Sequence, residues 1–146
     1  MSYALDTNVL ARSIEASHPM HGIAKQSVGT LLSRGEEIFV LAQNLYEFWA
    51  IATRPQKANG LGLTADEARL HLEKFTTVFF LKPDVPAIYN EWKLLVSQHQ
   101  VLGKPSPDAR IAAAMKVHTI SHLLTFNTDD FKRFTEITSV NPADIK

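Results

Sequence analysis

The stretch Met1-Ser-Tyr-Ala-Leu-Asp-Thr-Asn-Val-Leu10 decides how the rest of the chain is read. A short apolar run, Tyr3-Ala4-Leu5, stops at Asp6, and Thr7 and Asn8 intervene before apolar residues resume. That order predicts a strand ending at an acid, followed by a turn into a helix over Val9 to Glu15. A carboxylate so placed lies at the carboxyl edge of a sheet, where open α/β folds hold their ligands.

Moving outward, Gly22 to Arg34 reads as a second helix closed by Gly35, and Ile38-Phe39-Val40-Leu41 as a strand buried on both faces. Gln43 to Thr53 carries Leu45, Phe48, Trp49 and Ala52 on one helical stripe. The Arg54–Gly62 stretch breaks the chain but is too short to separate two domains. Thr64-Ala-Asp-Glu67 matches a capping box, so a helix is expected from Thr64 to about Thr76. Val78–Leu81 is the expected third strand, and Asp84 the expected cap of the next helix. Ser106 reads as an N-cap and Pro107 as the first residue of an alanine-rich helix. Ser121–Thr125 and Ile137–Val140 complete the strands. Strands alternating with helices imply an α/β fold: one domain over residues 1–146, a three-layer α/β/α sandwich on a mostly parallel sheet of four to five strands.

Composition bounds the function. Hydrophobic residues make up 45% and charged residues 21% of 146, an ordinary globular balance. No apolar run approaches the ~18 residues of a membrane span, and Met1 opens no secretory pattern, so a cytoplasmic location is expected. Cysteine is absent, which excludes thiolate metal sites. Fifteen basic and fifteen acidic residues cancel, so bulk electrostatics do not favour nucleic acid.

Four acidic positions recur in one setting, just past a strand or on the helix that follows it. They are Asp6, Glu47, Asp108 and either Asp129 or Asp130. In a parallel sheet these points fall along one edge. Hard cations such as Mg²⁺ take oxygen ligands, whereas clustered carboxylates without a cation repel one another. Each acid also has a plainer reading: Asp6 as a helix cap, Asp108 at the positive end of its helix, Asp130 in a capping pair with Asn127, Glu47 as solvated surface.

Resemblance adds to this. Leu5-Asp-Thr-Asn-Val9 looks like the opening of PIN domains, the metal-dependent ribonuclease fold. Leu45-Tyr-Glu-Phe-Trp-Ala-Ile-Ala-Thr-Arg-Pro55 resembles the second acidic motif of VapC-type toxins within that family. Ser106-Pro-Asp-Ala-Arg-Ile-Ala-Ala113 is similar to the third, and Leu124-Thr-Phe-Asn-Thr-Asp-Asp-Phe131 to the closing motif. The four occur in family order across residues 5 to 131.

The resemblance implies Asp6, Glu47 and Asp108 as the carboxylates around Mg²⁺ or Mn²⁺, with Asp130, set before the anchoring Phe131, as the fourth catalytic acid. Asn127 stands where some relatives carry an acid and adds no charge. Thr7, Asn8, Thr125, Asn127 and Asp129 are the expected polar supports. Arg12, Arg54, Lys104 and Arg110 are candidate RNA contacts. The implied activity is endoribonuclease action of the VapC toxin type, by a homodimer inhibited by a cognate antitoxin; zero net charge suggests weak non-specific binding, so a particular folded RNA such as a tRNA is the expected target. A PIN-like module that binds RNA or protein without cleaving is the alternative. A phosphatase reading lacks the second aspartate two residues after the first, where this chain has Asn8.

Overall fold

A computed structural model describes residues 1–146. The elements run β1 (Ser2–Leu5), α1 (Thr7–Ile14), α2 (His21–Ser33), β2 (Glu37–Leu41), α3 (Ala42–Thr53), α4 (Ala65–Val78), β3 (Phe80–Lys82), α5 (Ala87–Gln98), α6 (Ser106–Val117), β4 (His122–Leu124) and β5 (Thr138–Val140). All four strand pairings are parallel, in the order β3-β2-β1-β4-β5. The chain builds outward from β1 to β3, then returns to the other side of β1. The strand order therefore reverses between β1 and β4, the kind of switch point at which such sheets open a crevice.

Side-chain alternation divides the core into two layers. Tyr3, Leu5, Ile38, Val40 and Leu124 pack against α1 to α4, with Phe48 and Phe75 beneath them. Ala4, Phe39, Leu41 and Leu123 face α5 and α6, together with Phe131 and Phe134. The run Ala112-Ala113-Ala114 is buried, and its small side chains let α6 lie close to the sheet. This is the three-layer α/β/α sandwich expected, with five strands. No helix is long and apolar enough to cross a membrane.

Several local expectations shift. The capping box forms at Thr64 and Glu67, but α4 runs on to Val78 because Thr76 and Thr77 return their hydroxyls to carbonyls one turn back. β3 therefore begins at Phe80 rather than Val78, as a short edge strand. Asp84 caps nothing: α5 starts at Ala87 after Pro86, and Asp84 pairs with Arg110 instead. Ser106 is inside α6, not its cap, because the Ser106 amide already donates to the Gly103 carbonyl and draws the helix one residue earlier. Gly35 does close α2, at φ 74°, with Glu36 N donating to Leu31 O.

Candidate active site

The register Leu5↔Leu124 makes Asp6 and Thr125 the next neighbours past the paired ends of β1 and β4. The ladder continues one step, Asp6 N donating to Leu124 O at 3.0 Å. Asp6 is 7% exposed and Thr125 is fully buried. Asp6 Oδ1 accepts from Thr7 N at 2.8 Å and so caps α1. Its Oδ2 accepts from the Thr125 hydroxyl at 2.7 Å and from Asn8 Nδ2 at 3.4 Å. The cap and the site are one carboxylate, with its two oxygens divided between the tasks.

Helix α3 follows β2 without a loop, which brings its first turn over the same edge. Residues three and four apart share a helix face, so Gln43 and Asn44 stand beside Glu47. Thr7 Oγ1 and Gln43 Nε2 donate to Glu47 Oε1 at 3.3 and 3.4 Å. Asn44, fully buried, donates from Nδ2 to Thr7 Oγ1 at 3.1 Å, while its Oδ1 has no partner. Gln43 also donates to the Pro107 carbonyl at 3.0 Å and accepts from Arg110 at 2.7 Å, tying α3 to the start of α6. Asp108 stands in the first turn of α6.

Asp6, Glu47 and Asp108 thus line one shallow pocket of about 210 Å³, with Thr7, Asn8, Arg12 and Asn127 on its walls and rim. Burial, then mutual repulsion, sets their electrostatics. Burial pushes the Asp6 carboxyl up, against the lowering effect of its Thr125 and Thr7 bonds. Burial and the Asp6 charge raise Glu47. Asp108 is pushed up to about 6 by burial, then by Asp6, Asp130 and Glu47, with Arg133 partly opposing. Asp130 is exposed, yet its charge acts on both Asp6 and Asp108. Asp129 is spent on a 2.6 Å surface pair with Lys132.

No three His, Cys, Asp or Glu side chains come close enough together to hold a metal ion by themselves. Mg²⁺ does not need three: it is held by one or two carboxylates and keeps several waters. An all-oxygen donor set, open on one side and carrying unrelieved negative charge, fits a hydrated hard cation.

The sequence matches the PIN domain over residues 3–137. The chain belongs to the PIN-domain family. Comparison with curated proteins finds no match. Among solved structures, VapBC2 from Rickettsia felis, bound to a promoter DNA fragment, is similar at a TM-score of 0.71 and 18% identity, over 97% of this chain and 98% of that one. VapBC-1 from nontypeable Haemophilus influenzae matches at 0.66 and 18%, over 99% and 100%. VapC20 from Mycobacterium tuberculosis, a toxin that cleaves the sarcin-ricin loop, matches at 0.63 and 18%, over 89% and 93%. At these identities the likeness is one of fold.

Of the basic residues considered as RNA contacts, this PIN domain brings one to the pocket. Arg12 is on its rim, bonded to Glu15 at 2.9 Å. Arg110 is engaged by Gln43 and Asp84, and Arg54 and Lys104 are exposed away from the pocket lining. Gln43 and Asn44 join the site although no motif in the sequence marks them. The available signal was two amides between Leu41 and Leu45, three and four residues ahead of an acid.

Proposed function

We propose that the chain is a metal-dependent endoribonuclease of the VapC toxin type. The observation that supports it most is the gathering of Asp6, Glu47 and Asp108 in one pocket at the switch point, with burial first and then its acidic neighbours raising Asp108 to about 6. Asp6, Glu47 and Asp108 would share a hydrated Mg²⁺ or Mn²⁺, and Asp130, whose charge acts on Asp6 and Asp108, would be the fourth acid. Bound there, the cation would polarise a phosphodiester and acidify water beside it. The chain's own residues do the rest. Thr125 and Asn8 fix the Asp6 carboxylate, and Thr7 and Gln43 fix Glu47. Arg12 on the rim supplies a guanidinium to the incoming phosphate.

The substrate in this reading is a particular folded RNA, because a chain of zero net charge gains little from non-specific phosphate attraction. We also propose a cognate antitoxin and a homodimer. An apolar groove of about 270 Å³ between α1, α2 and α4, lined by Leu10, Val28, Leu32, Phe75 and Val78, suits one face of an amphipathic helix. Tyr46 and Trp49 on α3 and Tyr89 on α5 leave large aromatic surface exposed, a composition common in interface cores.

The deciding experiment is cleavage of total cellular RNA by wild type and Asp108→Asn, with Mg²⁺ and with EDTA. Discrete products only from wild type with metal are expected. A folded, Mg²⁺-supplied protein that cuts nothing would overturn the reading. It would favour the second one, a PIN-like binding module, for which Asn127, an amide that adds no charge where some relatives carry an acid, speaks.

A further inference from the structure

A second concavity adjoins the carboxylate pocket and shares Arg12 with it. At about 830 Å³ it lies within the ~300–1,000 Å³ range of small-ligand clefts. The loop between α1 and α2 forms one wall, with Ser17 and His18. The connection from α3 to α4 forms the other, with Gln56 and Asn59, and His71 of α4 lies between them. Nothing in the proposed chemistry uses these residues.

The α3–α4 wall is built rigidly. Gly60 N donates to Pro55 O, Leu61 N to Ile51 O, Gly62 N to Arg54 O and Leu63 N to Ala52 O, all within 3.0 Å. A Cβ on Gly60 would fall 2.0 Å from the Arg54 carbonyl oxygen, so only glycine permits this close fold. Asn59 sits at φ 64°, a backbone setting that asparagine tolerates. Gln56 and Asn59 are exposed, leaving their amides open to a ligand. His71 is braced by Phe48 at 6.3 Å and Phe75 at 6.4 Å, which fixes its ring in the cleft wall.

A braced aromatic ring beside two presented amides, one guanidinium away from a phosphate-cutting pocket, matches the chemistry of an unpaired base. Proteins read single-stranded RNA by stacking bases on aromatic side chains, histidine among them, and hydrogen-bonding their edges. Resting on the nuclease reading, we infer that this cleft receives an unpaired nucleotide next to the scissile phosphate, its base against His71 and its edge read by Gln56 and Asn59. Arg12 spans the step between base and phosphate.

The test uses a pool of RNA hairpins with randomised loops, cut by wild type and by the double variant Gln56→Ala, Asn59→Gly. Glycine keeps the positive φ and Gln56 is exposed, so the variant retains its fold. Wild type is expected to prefer one base at a fixed position beside the cut. The variant should still cut the pool, with that preference reduced roughly tenfold or more. Cutting without a base preference, or an unchanged preference in the variant, overturns the inference while leaving the nuclease reading intact. If wild type cuts nothing, the nuclease reading fails, and fluorescence anisotropy with a labelled unstructured RNA decides the cleft separately. Roughly tenfold weaker binding by the variant supports the cleft; equal binding, or none by wild type, overturns it.

Discussion

Replacing Asp108 by asparagine should stabilise the metal-free protein and remove the stabilisation that Mg²⁺ confers. The Asp108 carboxyl stands at about 6 in the fold against 3.8 in the unfolded chain. A carboxyl whose folded value is raised binds its proton more tightly when folded. Its contribution is therefore most favourable below 3.8 and is lost as pH rises through about 6. At neutral pH the ionised group opposes folding. At ~1.36 kcal/mol per pH unit the gap corresponds to about 3 kcal/mol. Asp108 is only partly buried, so solvent screening reduces this to about 1–1.5 kcal/mol.

Asparagine keeps the shape and removes the charge, so the metal-free variant should melt roughly 2–5 °C above wild type. Excess Mg²⁺ should reverse the order. Wild type gains about 2.7 kcal/mol at a free concentration a hundredfold above Kd, and the variant gains little. Thermal melts of both proteins near neutral pH, in EDTA and in Mg²⁺, read all four values. A variant that melts at or below wild type in EDTA refutes the repulsion argument. Equal gains from Mg²⁺ in both proteins refute the assignment of Asp108 to the cation.

Three further changes probe the surroundings. Thr125→Val deletes the 2.7 Å bond to buried Asp6 and should cost about 1–3 kcal/mol in urea unfolding, with weaker Mg²⁺ binding by calorimetry. Asn44→Ala frees the Thr7 hydroxyl that donates to Glu47. Turnover should fall on the order of tenfold, with Mg²⁺ restoring less of it at low concentration; a fall in stability with turnover per folded molecule intact would make Asn44 merely structural. Gly60→Ala forces the Arg54 carbonyl aside and should cost more than about 1 kcal/mol in thermal unfolding; an unchanged midpoint would show that the α3–α4 wall yields easily.

The layer architecture was legible because the central strands are short apolar runs and the helices between them carry apolar stripes. Boundaries were less so where two local devices compete. Thr76 and Thr77, β-branched and suited to strands, satisfy their hydroxyls on helix carbonyls instead and hold α4 to Val78. Asp84 looked like a cap because it precedes an apolar stripe, but a guanidinium 26 residues away claims it. Of the acids that share the pocket, Asp6 directly follows β1 and Glu47 stands on the helix after β2, whereas Asp108 opens a helix that follows another helix. Their supports Gln43 and Asn44 were not legible, because an amide's partner is set by the register of β1 on β2, which no local pattern discloses.

Asp6 shows why the carboxylate group stays open. An ionised carboxylate offers about four lone-pair sites. Thr7 N occupies one on Oδ1, and the Thr125 hydroxyl and Asn8 amide lie against Oδ2. About one direction remains for anything else. A side chain that must cap α1 and bridge the β1–β4 switch point has a single lone pair to give, and Glu47 is similarly shared between Thr7 and Gln43. Carboxylates so committed cannot enclose a cation between them. They can share one that brings most of its own water, which is how Mg²⁺ is ordinarily held. The bonds that keep these acids in place, and the side they leave open, are consequences of the same hydrogen-bond count.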